Sequence, residues 1–470
     1  MQRLLTIAIL VLVVAAETSA AERRPNVLLI VTDDQRFDTI QALSNATIRT
    51  PNLDRLVIRG TSFTRAVCAY PICVSSRAEL LTGCTAFRAQ QPYAVGKLND
   101  SLPRWPEVMK ASGYRTLYVG KWHTTGKPTT RGYLESRGLY SSGGGQLPLT
   151  HPLDRLGQPV TGYRGWVLQD DRGQTFPERG VGLTPNISEA FADAAIELLE
   201  RPDERPFFLH VNFTAPHDPR FMPVGYEKAY DPAKILLPAD FAPQHPFDHG
   251  NAGGRDEVLF PRPLTEEMIR EELAVYYALI EHLDVQIGRI SAALGKAGKL
   301  DNTIVIFTSD HGLAVGSHGL TGKQNMYEHT IGVPLVMAGP GVPVTKITDA
   351  PIYLRDLFPT VCELCDVPVP DGIDGRSYAP WMAGRGPPPH DFIVGYFTDT
   401  QRMIRTDRWK LIRYPKIGRE QLFDLQADFD ERRDLIADAS MKPVVDDLRA
   451  KLTAWLREHG DPLETPGAAN

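Results

Sequence analysis

Four short apolar runs along the chain each end in polar or reactive residues. Residues 26–31 read NVLLIV and lead into Thr32, Asp33 and Asp34, and residues 116–119 read TLYV and lead into Gly120, Lys121, Trp122 and His123. Residues 207–213, FFLHVNF, precede Thr214, Ala215, Pro216 and His217, and residues 303–307, TIVIF, precede Thr308, Ser309, Asp310, His311 and Gly312. The runs are rich in β-branched and aromatic residues and lack strict alternation, the pattern of strands buried on both faces. Helical spacing separates them. Residues 188–200 carry an apolar helical face, and Leu273, Tyr276, Ile280, Leu283, Ile287, Ile290 and Leu294 recur in steps of three and four, which marks one long amphipathic helix. The alternation of strand and helix predicts an α/β fold with a mostly parallel central sheet sandwiched by helices. Ligands gather at the carboxyl ends of the strands in such sheets, and there the four runs place aspartate, lysine and histidine.

Two stretches break the pattern. Residues 141–178 and 238–263 are rich in glycine, proline and arginine without periodicity, and read as loops over the active site. From about residue 391 the spacing changes again: residues 394–397, 403–405, 410–414 and 421–425 predict a small antiparallel sheet, and residues 442–459 a closing helix. The expected organisation is a catalytic domain over residues 22–390 and a small C-terminal α+β domain over residues 391–470, preceded by an export signal at residues 1–21. That signal rests on Arg3, an apolar run over residues 4–16, and the small residues Thr18, Ser19, Ala20 and Ala21. The run is too short to span a bilayer comfortably, and no later run is long enough. The expectation is a mature protein in the periplasm or outside the cell, without stable membrane insertion.

The 470 residues carry a net charge of −6, which argues against nucleic acid as a partner. An anionic small substrate remains compatible, because it needs only a few cations placed locally. There are five cysteines, at positions 68, 73, 84, 362 and 365. With Cys73 set aside for chemistry, the other four allow three pairings. Cys362 and Cys365 read as small buried residues or one local disulfide, since no second C-x-x-C completes a zinc set.

The segment at residues 73–83, CVSSRAELLTG, resembles the sulfatase signature C-x-P-S-R-x-x-x-L-T-G. Further marks of that family follow in order: Asp33-Asp34, G-K-W-H at 120–123, P-H-x-P at 216–219, D-H-G at 310–312, G-K-x-x-x-Y-E at 322–328, and LFDL at 422–425. The chain is thus similar, from about Asn26 onward, to the formylglycine-dependent sulfatases of the alkaline phosphatase superfamily. The resemblance implies that Cys73 is oxidised by a maturation enzyme to formylglycine, whose hydrate attacks sulfur with one hydroxyl and expels sulfate with the other. It implies a divalent cation, calcium first and magnesium, manganese or zinc as alternatives, held by Asp33, Asp34, Asp310, His311 and the modified residue 73. Arg77 would hold the hydrated aldehyde, and Lys121 and Lys323 the sulfate oxygens. His217 or Lys323 would supply the leaving-group proton, and His123 would act as the base that restores the aldehyde. His318, Tyr327, Glu328 and His329, beside Lys323, read as supporting residues.

Residues 75–82 are expected to be helical with Gly83 as the stop, so Cys73 falls at the positive end of a helix. Ser75 stands where the signature has proline, and conversion of Cys73 is expected because the cysteine and Arg77 are intact. The substrate expected is a sulfate ester, a carbohydrate sulfate in preference to a simple aryl sulfate. Two rivals stay open: a phosphodiesterase or phosphonate monoester hydrolase of the same superfamily, and an unconverted, inactive binder of sulfated glycans. The sequence is silent on oligomeric state.

Overall fold

A computed structural model describes residues 24–43, 45–90, 97–144 and 147–464; the expected export signal lies outside the described residues. The strands, in chain order, are β1 (Asn26–Thr32), β2 (Thr61–Phe63), β3 (Ala66–Val67), β4 (Arg115–Lys121), β5 (Glu135–Ser142), β6 (Trp166–Gln169), β7 (Phe207–Asn212) and β8 (Thr303–Ser309). They continue with β9 (Leu335–Ala338), β10 (Lys346–Thr348), β11 (Ile352–Tyr353), β12 (Ile393–Phe397), β13 (Gln401–Arg405), β14 (Trp409–Tyr414) and β15 (Arg419–Asp424). Nine of them form one sheet in the order β10-β2-β9-β8-β1-β7-β4-β5-β6. Its centre is parallel: β1 pairs with both β7 and β8, and β4 with both β7 and β5. Towards the margins β9 and β6 run antiparallel to β8 and β5.

Every residue of β1, β4, β7 and β8 is buried, because helices cover both faces. Val27, Leu29 and Val31 pack with Leu80, Trp105, Phe358 and Val361 on one side. Leu28 and Ile30 pack with Phe191, Leu198, Leu283, Ile287 and Leu294 on the other. Burial on two faces explains the absence of alternation in these runs. The heptad-like stripe forms the helix Glu266–Lys296, whose N-cap Thr265 accepts a hydrogen bond from the Met268 amide, with Glu266 and Glu267 in the first turn. The stripe serves two cores: its second half packs on the sheet, while Leu273, Tyr276 and Ile280 pack with Ile48, Leu313 and Val315.

The segment 141–178 departs from its reading as a loop, because it contains β6, a short margin strand paired to β5. Four residues amid glycine and proline leave too little periodicity to be read from sequence. The C-terminal strands form an antiparallel sheet in the order β12-β13-β14-β15, with the helix Lys442–Glu458 burying Val445, Leu448, Leu452 and Leu456. Its apolar face shares one cluster with Tyr70, Ala314, Met326, Tyr327 and Ile331 of the main body. All five cysteines are buried and free. No helix among the described residues is long and apolar enough to cross a membrane.

Candidate active site

The helix Cys73–Thr82 starts at the cysteine and stops at Gly83, which takes a left-handed φ of 67°. A Cβ there would also crowd Phe358 at 3.1 Å, so glycine is needed for conformation and for space. All ten residues of the helix are buried, so the Arg77 charge cannot reach water and must be paired. Arg77 donates from Nε to Asp310 Oδ2 at 3.0 Å and from a terminal nitrogen to Asn212 Oδ1, and lies 3.8 Å from Asp33 Oδ1. Behind the helix, Glu79 accepts from Arg355 at 3.0 Å and from the Tyr396 hydroxyl of β12. The C-terminal sheet thereby braces the helix that carries Cys73.

The four parallel strand ends bring the remaining groups together. Cys73 Sγ lies 3.2 Å from Asp33 Oδ1 and 3.3 Å from His311 Nε2. Lys121, the last residue of β4, pairs with Asp33 Oδ2. Lys323 Nζ sits 2.9 and 3.0 Å from the two Asp34 oxygens, and the Asp34 amide donates to Asp310 Oδ1 at 3.3 Å. His217 points Nε2 at Asp34 Oδ2, 3.9 Å away, and Nδ1 at Asp218 Oδ1, 3.2 Å away. His123 lies close enough to interact with Cys73, Lys121 and Asp33. All ten residues expected from sequence therefore converge on one centre. Asp34 reaches it from a left-handed backbone, φ 68°, and Tyr276 secures that turn by donating to the Asp34 carbonyl at 2.6 Å.

The charges perturb one another strongly. Burial and the Cys73 charge would raise the Asp33 carboxyl, but Lys121, His217 and Arg77 outweigh them and hold it well below the usual range. Asp310 takes the opposite course: burial, then the neighbouring Asp33 charge, pushes it up to about 7. Cys73 is pulled well below an ordinary thiol by Lys121, Lys323 and His311, against burial. Against the same burial, Asp310 and Cys73 raise His311 to about 10. His217 is raised, Asp34 overcoming burial, whereas burial lowers His123.

The donor set fits a divalent cation. The ligand atoms of Asp33, Cys73, Asp310 and His311 lie within 4.8 Å of one another, as do those of Asp33, Asp34, Cys73 and His217. The two groups share Asp33 and Cys73, which makes one centre rather than two. Carboxylate oxygens suit a hard cation, and a single imidazole admits a borderline one. Three carboxylates meet Arg77, Lys121 and Lys323, so the formal charges of these six cancel, and a cation entering with an anionic ester leaves little net buried charge.

Several residues at the site were not expected from sequence. Asn212 ends β7 and takes Arg77; a polar residue closing an apolar run was a legible signal. Asp218 accepts from Arg255 at 2.9 Å, and Asp256 lies 3.6 Å from Lys323, which brings the loop 238–263 to the site as expected. Tyr163, from the other loop, donates to Asp33 Oδ2, and nothing in its local sequence signalled that.

Comparison with known proteins fits this geometry. The Sulfatase family model matches residues 25–367, well over half of the chain. The chain belongs to the sulfatase family. It is a sulfuric ester hydrolase with the alkaline phosphatase-like fold. A second model, N-sulphoglucosamine sulphohydrolase C-terminal, matches residues 316–458 of the sulfatase. An arylsulfatase of Clostridium perfringens is 29% identical, covering 93% of this chain and 96% of its own. An ulvan-active sulfatase of Formosa agariphila is 28% identical over 94% of this chain and 83% of its own. Among solved structures, a protein in complex with its substrate D-glucosamine-2-N,6-O-disulfate superposes with a TM-score of 0.75 at 22% identity, covering 94% of this chain and 99% of its own. A phosphonate monoester hydrolase of Agrobacterium radiobacter superposes with a TM-score of 0.76 at 23% identity, covering 93% and 97%; at such identities the likeness establishes the fold.

Proposed function

We propose that this sulfatase is exported and hydrolyses carbohydrate sulfate esters at a formylglycine derived from Cys73, with one divalent cation, calcium in the first instance. One observation carries the reading: Cys73 opens a buried helix within 3.3 Å of both Asp33 and His311, with two lysines and two histidines around it. The thiol stands where the hydrated aldehyde would present two hydroxyls. That group would supply a nucleophilic oxygen and then a second hydroxyl to displace the bound sulfate. Asp33, Asp34, Asp310 and His311 would hold the cation, which would screen the sulfate charge.

The chain's own side chains carry the remaining work. Arg77, locked to Asp310 and Asn212, anchors the nucleophile's end of the cluster. Lys121 and Lys323 are placed to turn from Asp33 and Asp34 towards sulfate oxygens as negative charge redistributes. His217, held at Nδ1 by Asp218, turns Nε2 towards Asp34 at the centre, where it would protonate the leaving oxygen, with Lys323 as the other donor. His123, beside the side chain of residue 73, would take a proton from it. Ser75, where the signature has proline, is buried and donates to Gln90 Oε1 at 2.7 Å, so the substitution is accommodated in the folded helix. The sulfated-saccharide names among the relatives support a carbohydrate substrate.

Two measurements test this. Peptide mass spectrometry on protein from the native host should find the aldehyde at residue 73; an unmodified, alkylatable thiol alone would leave the sulfated-glycan binder. Turnover should be measured side by side on sulfated mono- and oligosaccharides, an aryl sulfate and an aryl phosphodiester. Faster cleavage of the phosphodiester would replace the proposed reaction with that of the phosphonate and phosphodiester hydrolases.

A further inference from the structure

Tyr163 belongs to none of the motifs, yet it stands where they converge. It lies in the loop between β5 and β6, next to Gly162 and close to Gly165. Its hydroxyl donates to Asp33 Oδ2, the same oxygen that Lys121 holds. The Lys121 ammonium lies 5.2 Å from the centre of its ring, within reach of a cation–π attraction. On another side the ring meets His217 edge to face at 4.8 Å, and Trp166 at 5.0 Å. Tyr163 thus contacts one carboxylate, one lysine and one histidine of the site at once.

The backbone pays a conformational cost for this placement. Tyr163 has a φ of 54°, a left-handed region that bulky side chains rarely enter. The chain is pinned on either side: a Cβ on Gly162 would come within 2.9 Å of the Asp218 carbonyl, and the Trp166 amide donates to the Tyr163 carbonyl at 3.1 Å. The loop therefore packs tightly against the segment that carries His217.

We infer that Tyr163 is a positioning residue of the sulfatase site, committing Asp33 Oδ2 so that Oδ1 alone is offered to the cation, while its ring walls in Lys121 and His217. The inference rests on the cation site proposed above. Asp33 Oδ1 is the oxygen that faces Cys73, at 3.2 Å. With Oδ2 held by the phenol even when Lys121 turns to sulfate, the carboxylate keeps Oδ1 towards residue 73.

The test is Tyr163→Phe, which keeps the ring and removes the hydroxyl. Calcium titration into metal-stripped protein, followed by calorimetry, should show an affinity lower by about tenfold to a hundredfold, the range for a hydrogen bond to a charged group. The kcat should fall with it, while KM for a small aryl sulfate stays within about twofold. Tyr163→Leu should lose the same affinity and also raise KM, since Lys121 and His217 lose their wall; it reads the hydroxyl even if Tyr163→Phe does not fold. Melting of each metal-free variant checks folding. Unchanged cation affinity in a folded variant, beside a wild type that binds calcium, overturns this inference alone. A wild type that takes up no divalent cation overturns the site reading and this inference together.

Discussion

Lys323 and Glu328 are near neighbours in sequence and both are buried, yet they belong to different kinds of charge cluster. Lys323 joins the ring around Cys73, where three aspartates, two lysines, an arginine and three histidines face one point. Glu328 joins the main body to the C-terminal sheet: it lies 2.9 Å from Lys410 and 3.1 Å from Arg405, and its amide donates to Glu431 at 2.6 Å. Lys410 in turn lies 2.7 Å from Glu431. That second cluster sets two anions against two cations in direct pairs, and includes no thiol. The difference teaches that buried charge alone does not mark function. What marks it is a set of groups that can exchange protons or ligands, aimed at one centre from several strand ends.

Substitutions should separate the two clusters. Cys73→Ala should abolish turnover, by on the order of 10⁴-fold or more in kcat, with little change in unfolding midpoint. Glu328→Gln should do the reverse. Breaking a buried pair leaves its partners uncompensated and costs about 3–5 kcal/mol, read by urea unfolding, while kcat per folded molecule stays near wild type. Should Glu328→Gln remove activity without loss of stability, the contrast fails. His217→Gln should reduce kcat by about 10²–10⁴-fold, least for esters with acidic leaving groups, which need the proton less. A uniform loss across a leaving-group series would remove His217 from that role.

The smallest effect concerns a group outside both clusters. His210, in the middle of β7, bonds the Tyr133 hydroxyl at 2.7 Å through Nδ1. Burial, with help from Arg77, depresses it to about 3. The folded protein keeps it neutral, while the unfolded chain protonates it below about pH 6.5. Its contribution is therefore complete above about 6.5 and is lost as pH falls towards 3, at about 1.4 kcal/mol per pH unit. His245 and His249, lowered to about 3 and about 4, act in the same direction. Urea midpoints measured at pH 7 and pH 5 should differ less in His210→Phe than in wild type.

The central strands, the long helix and the C-terminal sheet were legible because each follows from local pattern: continuous apolar runs for two-faced burial, steps of three and four for the helix, and closely spaced short apolar runs at the end. The ten candidate residues that the fold brings together were legible because each sits in a short motif beside such an element. β6 was not, since four residues among glycines and prolines carry no measurable period. Sequence by itself determined the strand-and-helix order, the family and the residues at the strand ends, because periodicity and motifs are properties of neighbours along the chain. Only the tertiary structure decided that Asn212 takes Arg77, that Asp256 stands behind Lys323 and that Tyr163 holds Asp33. Those contacts depend on where loops come to rest over the sheet, and loop paths are set by packing and backbone conformation rather than by repeating sequence pattern.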